Sequence, residues 1–167
     1  HWMVHSFPTR RSSDLKAHVV LSNDIVLNPM ESNGLGNVFV VEYEEDTYFF
    51  EPGSGFWYIS TDLENKLIDP SLLSTLSGLV YPWNSFDDFY GSFDGNGFEI
   101  EGIYINDTGR YYSGFFSFLH GSVFDLSVSG YIKGSTYAGG ISGILRENGS
   151  IVNCINRVTV QTTSDAS

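Results

Sequence analysis

The segment Phe93-Asp-Gly-Asn-Gly-Phe-Glu-Ile-Glu-Gly-Ile-Tyr-Ile105 constrains the fold more than any other part of the chain. A tight Asp-Gly-Asn-Gly bend precedes a strand-like run in which Ile100, Ile103 and Ile105 can share a face. Related glycine-led strands return downstream. Ser113-Gly-Phe-Phe-Ser-Phe-Leu119 aligns with Gly139-Gly-Ile-Ser-Gly-Ile-Leu145, and Gly121-Ser-Val-Phe-Asp-Leu126 aligns with Gly149-Ser-Ile-Val-Asn-Cys154, a step of 28 residues from 121 to 149. A shorter, earlier version is Gly97-Phe-Glu-Ile-Glu-Gly-Ile103, which places Ile100 in one column with Val123 and Ile151. The same alignment places Ile103 in a second column with Leu126 and Cys154. Short strands launched by glycine corners and repeated along a chain predict parallel strands coiled into a stack, each coil burying the apolar columns of its neighbour. The expected fold is therefore all-β, a solenoid whose clearest coils span residues 97–160, with Gly95 and Gly97 serving a corner.

The rest of the chain fits that class. Charged residues are only 17% while glycine (18), tyrosine (10) and phenylalanine (13) are abundant, which suits a turn-rich β protein. Strands are predicted at 19–28, interrupted by Ser22-Asn-Asp24, at Val38–Val41, at Thr47–Phe50 and at Phe56–Thr61. The one helical stretch is 62–76, with Pro70 inside it able to restart a short helix. Residues 30–55, which carry the acidic run Glu42-Tyr-Glu-Glu-Asp46, are expected to be a solvated insertion, with the remainder of 16–167 as a single stack.

The net charge of −12 excludes nucleic acid as a partner, because a phosphate backbone needs a basic face. No apolar run approaches the roughly 20 residues that cross a bilayer as a helix. The single cysteine, Cys154, excludes an internal disulfide framework and is expected to be a buried, inert thiol.

Residues 1–15 differ in character from the rest of the chain. His5-Ser-Phe-Pro-Thr-Arg-Arg-Ser-Ser-Asp-Leu15 matches, residue for residue, the conceptual translation of a common short-read sequencing adapter. It is set aside as non-native. Arg10 and Arg11 are then no basic site, and removing two arginines and one aspartate moves the charge from −12 to −13.

The pattern Gly-x-Phe/Ile-x-x-x-Leu followed by Gly-Ser-Ile/Val-x-Asn/Asp-Leu/Cys resembles the GLUG repeats of large bacterial surface proteins. Leu21-Ser-Asn-Asp-Ile-Val-Leu-Asn28, Tyr81-Pro-Trp83 and Phe89-Tyr-Gly-Ser-Phe-Asp-Gly-Asn-Gly97 resemble the lead-in blocks of the same proteins. The resemblance covers roughly 19–28 and 56–160, and departs at Phe116-Ser-Phe118, where the family has small residues. It implies a right-handed parallel β-helix, pectin-lyase-like in shape, that is a fragment of a longer secreted or surface-displayed protein. The implied role is a non-catalytic structural or adhesive module whose partner is a glycan or a host- or cell-surface protein. The alternative it implies is an accessory β-helix region of a polysaccharide-degrading enzyme or of a GLUG-bearing metallopeptidase, with the active site elsewhere.

Chemistry is sparse in the residues themselves. Asp87-Asp88 is the one adjacent aspartate pair, expected in a loop; neighbouring strand residues face opposite ways, whereas an acid and base must converge across a sugar ring. There is no His-Glu-x-x-His segment, His120 is expected at a surface turn, and no cofactor is expected. Asp94 and Asn96 offer oxygens to calcium, yet lack the further spaced carboxylates of known calcium loops. Turn geometry accounts for both, since Asp and Asn tolerate left-handed backbone. Among the many aromatics, Tyr81, Trp83, Tyr111 and Tyr112 are the candidates for a ligand-binding face, because aromatic rings suit stacking and interface anchoring.

Overall fold

The structure, a computed structural model, describes residues 16–33, 36–59 and 68–164. The chain forms two compact units, His1–Leu27 with Pro82–Ser167, and Asn28–Tyr81. The adapter-like 1–15 lies outside the described residues. The first unit begins with β1 (His18–Val20) and β2 (Ile25–Val26). The second holds β3 (Met30–Asn33), β4 (Gly36–Tyr43), β5 (Asp46–Glu51), β6 (Phe56–Tyr58) and a short helix α1 (Leu73–Ser77).

After the second unit the chain makes three successive passes. The first comprises β7 (Phe86–Phe89), β8 (Ser92–Asp94) and β9 (Glu99–Asn106). The second comprises β10 (Tyr112–Ser113), β11 (Phe116–Leu119), β12 (Ser122–Phe124) and β13 (Ser127–Gly134). The third comprises β14 (Tyr137–Ala138), β15 (Ser142–Leu145), β16 (Ser150–Val152) and β17 (Ile155–Thr162).

Equivalent strands of successive passes pair side by side, in the orders β1-β8-β12-β16, β2-β9-β13-β17, β7-β11-β15 and β10-β14. Every one of these pairs is parallel. A parallel ladder closes its hydrogen bonds only with the next pass, so each pass depends on its neighbours for both backbone satisfaction and burial.

The downstream alignment is in register as expected: Val123 pairs with Ile151 and Leu119 with Leu145. The upstream part of the alignment is corrected. Val123 pairs with Phe93, not Ile100, so the earlier copy of Gly121-Ser-Val is Gly91-Ser-Phe. Ile100 instead joins Ile25 and Val128, and Ile103 faces Gly130. The column containing Leu126 and Cys154 starts with Phe98, whose carbonyl accepts from Ser127 N–H just as that of Leu126 accepts from Ile155 N–H. The bend at Asp94–Gly97 thus closes one strand and opens the next.

Glycine is required at the corner before β8 and β12. Ser92, Ser122 and Ser150 N–H groups donate to the carbonyls of Ala17, Gly91 and Gly121, stacking these backbones directly. A Cβ on Gly121 would collide with the carbonyl oxygen of Gly91. The serines themselves continue the stack, Ser150 Oγ donating to Ser122 Oγ at 3.1 Å.

The core of this unit is a single cluster of aromatic and aliphatic side chains. Trp83, Phe86, Phe89, Phe93, Phe115 and Phe116 pack on Leu119, Val123, Ile100 and Ile132. Phe115 meets Phe86 and Phe93 edge-on at 5.6 Å in each case, the geometry the ring quadrupole favours. The bulky Phe116-Ser-Phe118 departure fits because Phe116 fills this centre. Burial and the neighbouring Tyr104 hold the Tyr131 hydroxyl above the ordinary tyrosine range while it donates to Gln161 at 2.9 Å.

Side chains of the third pass are more exposed than their ladder partners in the second. Val123 is 0% exposed and its partner Ile151 38%; Ile132 is 0% and Val160 36%. Cys154, expected to be buried, belongs to the same pass and is half-buried, its thiol lying 3.3 Å from the Val152 carbonyl.

The described strands of the second unit pair antiparallel, in the order β3-β4-β5-β6. The expected strands at 38–41 and 47–50 are β4 and β5, and the acidic run forms their hairpin, turning at Glu44 with φ 55°. Phe50 stacks between Phe39 and Trp57, and Val38, Phe49 and Tyr58 pack together. Burial and the Glu51 carboxylate beside it raise the pKa of Tyr58. The first and last residues of the unit are tied, Tyr81 N–H donating to Asn28 Oδ1 at 2.7 Å and Asn28 Nδ2 donating to the Tyr81 carbonyl at 2.8 Å. Residues 30–55, expected as a solvated insertion, fall within this unit of Asn28–Tyr81.

The helix expected at 62–76 falls partly outside the described residues. A 3-10 turn at Pro70–Leu72 runs into α1, and residues 60–67 lie outside the described residues. Asp69 caps the turn by accepting the Ser71 N–H, which holds its carboxyl below the usual range.

Candidate functional site

The groups best placed to meet a ligand surround Arg110. Asp107 and Gly109 form the turn after β9: Asp107 Oδ1 accepts the Gly109 N–H at 3.0 Å and its carbonyl accepts Arg110 N–H at 3.2 Å. This aims the Arg110 side chain across the first and second passes. Its guanidinium donates to Asn84 Oδ1 (3.0 Å), to Asp87 Oδ1 (2.9 Å) and to Ser117 Oγ (2.9 Å), and its Nε to the Tyr112 carbonyl (3.1 Å). Four donors engaged on a planar fork fix the side chain in place.

A cleft of about 310 Å³ lies beside it, lined by Pro82, Trp83, Asn84, Tyr104, Ile105, Asn106, Asp107 and Arg110. Its polar wall consists of two amides, a carboxylate and a guanidinium. Trp83 is packed rather than displayed: it stacks on Phe115 at 4.6 Å and 2°, and its indole N–H donates to the Phe115 carbonyl at 3.1 Å. Of the four aromatic candidates, Trp83 therefore reaches the cleft mainly as its rigid backing.

Tyr111 and Tyr112 belong to a tyrosine array on the second and third passes. Tyr112 in β10 is paired with Tyr137 in β14, their rings stacked at 5.3 Å and 15°. Tyr111 meets both, at 4.8 Å and 5.4 Å, and Tyr112 touches Phe118 at 4.5 Å. The Arg146 guanidinium lies 4.8 Å over the Phe118 ring, a cation–π contact. Tyr111 and Tyr137 are about half exposed. Tyr81 is not part of this group; it lies in the second unit, held through its backbone by Asn28.

Asp87 and Asp88 are strand residues, not loop residues, and they diverge as neighbours on a strand do. Asp87 pairs with Arg110, whereas Asp88 meets His120 Nε2 at 3.0 Å. The His120 ring stacks on Tyr90 at 4.2 Å, so it is half-buried in a brace rather than loose at a turn.

The calcium candidates serve the corner. Asp94 Oδ1 accepts the Asn96 N–H at 2.7 Å, and Asn96 Nδ2 donates to the Leu21 carbonyl at 3.2 Å. Asn96, Asp125 and Asn153 occupy equivalent corners with φ of 52°, 54° and 54°, and Asn153 Nδ2 donates to Asp125 Oδ1 at 2.6 Å. These are residues that tolerate the left-handed region without glycine. Among the described residues, no group of three or more His, Cys, Asp or Glu is placed to hold a metal ion.

Sequence reasoning missed the roles of Arg110 and Asn106 and the partnership of Tyr137 with Tyr112. The last was within reach: setting Ser113-Gly beside Ala138-Gly places the preceding tyrosines in register. The Arg110 contacts come from three separate stretches of chain, and no local pattern announces them. Comparison with protein families, characterised proteins and solved structures finds no match to this chain. Among the described residues, no helix is long and apolar enough to cross a membrane.

Proposed function

We propose that the first unit is a stretch of right-handed parallel β-helix serving as a structural or adhesive module of a secreted or surface-displayed bacterial protein. The observation that carries this reading is the register: three passes stack strand on strand, with Phe93, Val123 and Ile151 in one inward column and glycine at the repeated corner. The parallel crossovers favour the right hand, because a right-twisted strand packs back onto its sheet in that sense. The GLUG-like spacing of Gly121-Ser-Val and Gly149-Ser-Ile agrees with a module of this kind.

A stack of short passes joined by turns presents a long, rigid side and hangs variable loops from it, which suits display and attachment. The half-exposed tyrosines and the cleft beside them supply a surface for contact. The reading is tested by immobilising the full chain and probing it with a panel of glycans and extracellular-matrix proteins. Saturable binding to any member supports an adhesive role. Binding to none would remove adhesion and leave the scaffold alone.

A further inference from the structure

We propose that the cleft formed by Asn84, Asn106, Asp107 and Arg110 binds a neutral glycan, holding one pyranose ring beside Tyr104 and Trp83; the inference rests on the adhesive reading and names its ligand class. The polar wall has the chemistry that sugar hydroxyls require. Two groups of the wall, the Asn106 amide and the Asp107 carboxylate, are planar and can meet neighbouring sugar hydroxyls, while Arg110 and Asn84, bonded to one another, form its fixed side. Asp107 commits Oδ1 to the Gly109 N–H, which leaves Oδ2 to accept. Asn106 is exposed at the end of β9, and its amide nitrogen has only a long 3.5 Å contact with the Tyr104 hydroxyl.

Charge selects a neutral ligand over an anionic one. The Arg110 guanidinium already faces Asp87 at 2.9 Å, and Asp107 adds a second carboxylate, so the cleft offers no surplus positive charge. A phosphate, sulfate or uronate would enter against the carboxylates. Size selects a single ring: a cleft of about 310 Å³ sits at the bottom of the range of about 300–1,000 Å³ for ligand cavities.

Preorganisation adds to the case. Arg110 is fixed by its four donors and Asp107 by its turn, so binding would order few new groups. The same Arg110 holds the Tyr112 carbonyl, which brings the tyrosine array next to the cleft. Half-exposed Tyr111 and Tyr137 then offer apolar ring surface and hydroxyls to further sugar units of a chain.

The test is an array of neutral and acidic oligosaccharides probed with the full chain and with its Asn106→Ala and Asp107→Asn variants, with thermal unfolding measured for each. Asp107→Asn keeps the turn-capping oxygen and removes the charge. The expected result is retention of neutral oligosaccharides, weakened about tenfold or more by either variant at unchanged unfolding temperature, since each leaves sugar hydroxyls unpaired. Binding that ignores both substitutions, binding confined to acidic sugars, or no glycan binding would overturn the proposal. A chain that adheres to a matrix protein but to no neutral glycan sinks the cleft and leaves adhesion standing. A chain that binds nothing in either assay sinks both.

Discussion

Leu119 and Leu145 are the same side chain at the same ladder position, paired across β11 and β15, yet Leu119 is 0% exposed and Leu145 50%. The strands have the same length, and their sequences, Phe-Ser-Phe-Leu and Ser-Gly-Ile-Leu, share the leucine. They also differ in their neighbours: among the described strands, β11 pairs on both sides, with β7 and β15, whereas β15 pairs on one side, with β11. Burial in this unit is therefore a property of the stack rather than of the strand. If stability here follows nearest-neighbour terms, a side chain flanked by strands on both sides contributes more than its ladder partner flanked on one.

The comparison can be broken by substitution, and the largest effect is expected at the corner. Gly121→Ala drives a Cβ into the carbonyl of Gly91 and the backbone at Tyr90, obstacles that cannot rotate away. The expected cost is about 3 kcal/mol or more, above ordinary overpacking, read as a lower denaturant midpoint. Leu119→Ala empties a fully buried site and should cost about 2–5 kcal/mol. Leu145→Ala, its ladder partner, should cost less than about 1 kcal/mol, because half of that side chain is already in water. Equal losses for the two leucines would sink the nearest-neighbour account.

The parts of the fold legible in the sequence are those governed by local steric rules. The Gly-Ser corner at 121 and 149 is readable because a backbone stacked on a carbonyl tolerates no Cβ, and its register is the one the repeat predicts. The earlier copy is misplaced by sequence alone because two glycine-led segments, Gly91-Ser-Phe and Gly97-Phe-Glu-Ile, lie six residues apart, and both precede apolar residues. Only the pairing of Phe93 with Val123 tells them apart. The bend at Asp94–Gly97 is turn chemistry, as its residue types suggest, since its carboxylate and amide bond the corner backbone.

The second unit is legible strand by strand and not as a body. Its limits depend on Asn28 meeting Tyr81, residues 53 apart, and no periodicity encodes that closure. The cleft is the least legible. Trp83 stands out for its size, but the groups that give the cleft its character, Asn84, Asn106, Asp107 and Arg110, are common polar residues gathered by the stacking of passes.

The central claim is that successive passes lie parallel and in register, and a cross-link reads it directly. Ser122 Oγ and Ser150 Oγ lie 3.1 Å apart in β12 and β16, so Ser122→Cys with Ser150→Cys, in a chain carrying Cys154→Ser, places two thiols on adjacent strands. Strand neighbours about 4.8 Å apart fall within the Cα separation of about 4.4–6.8 Å that a disulfide spans. Mild oxidation should therefore link this pair nearly completely in the folded chain and leave the shifted pair Ser122→Cys with Val152→Cys unlinked. Efficient linking of the shifted pair, or failure of the matched one, would contradict the register on which the whole account stands.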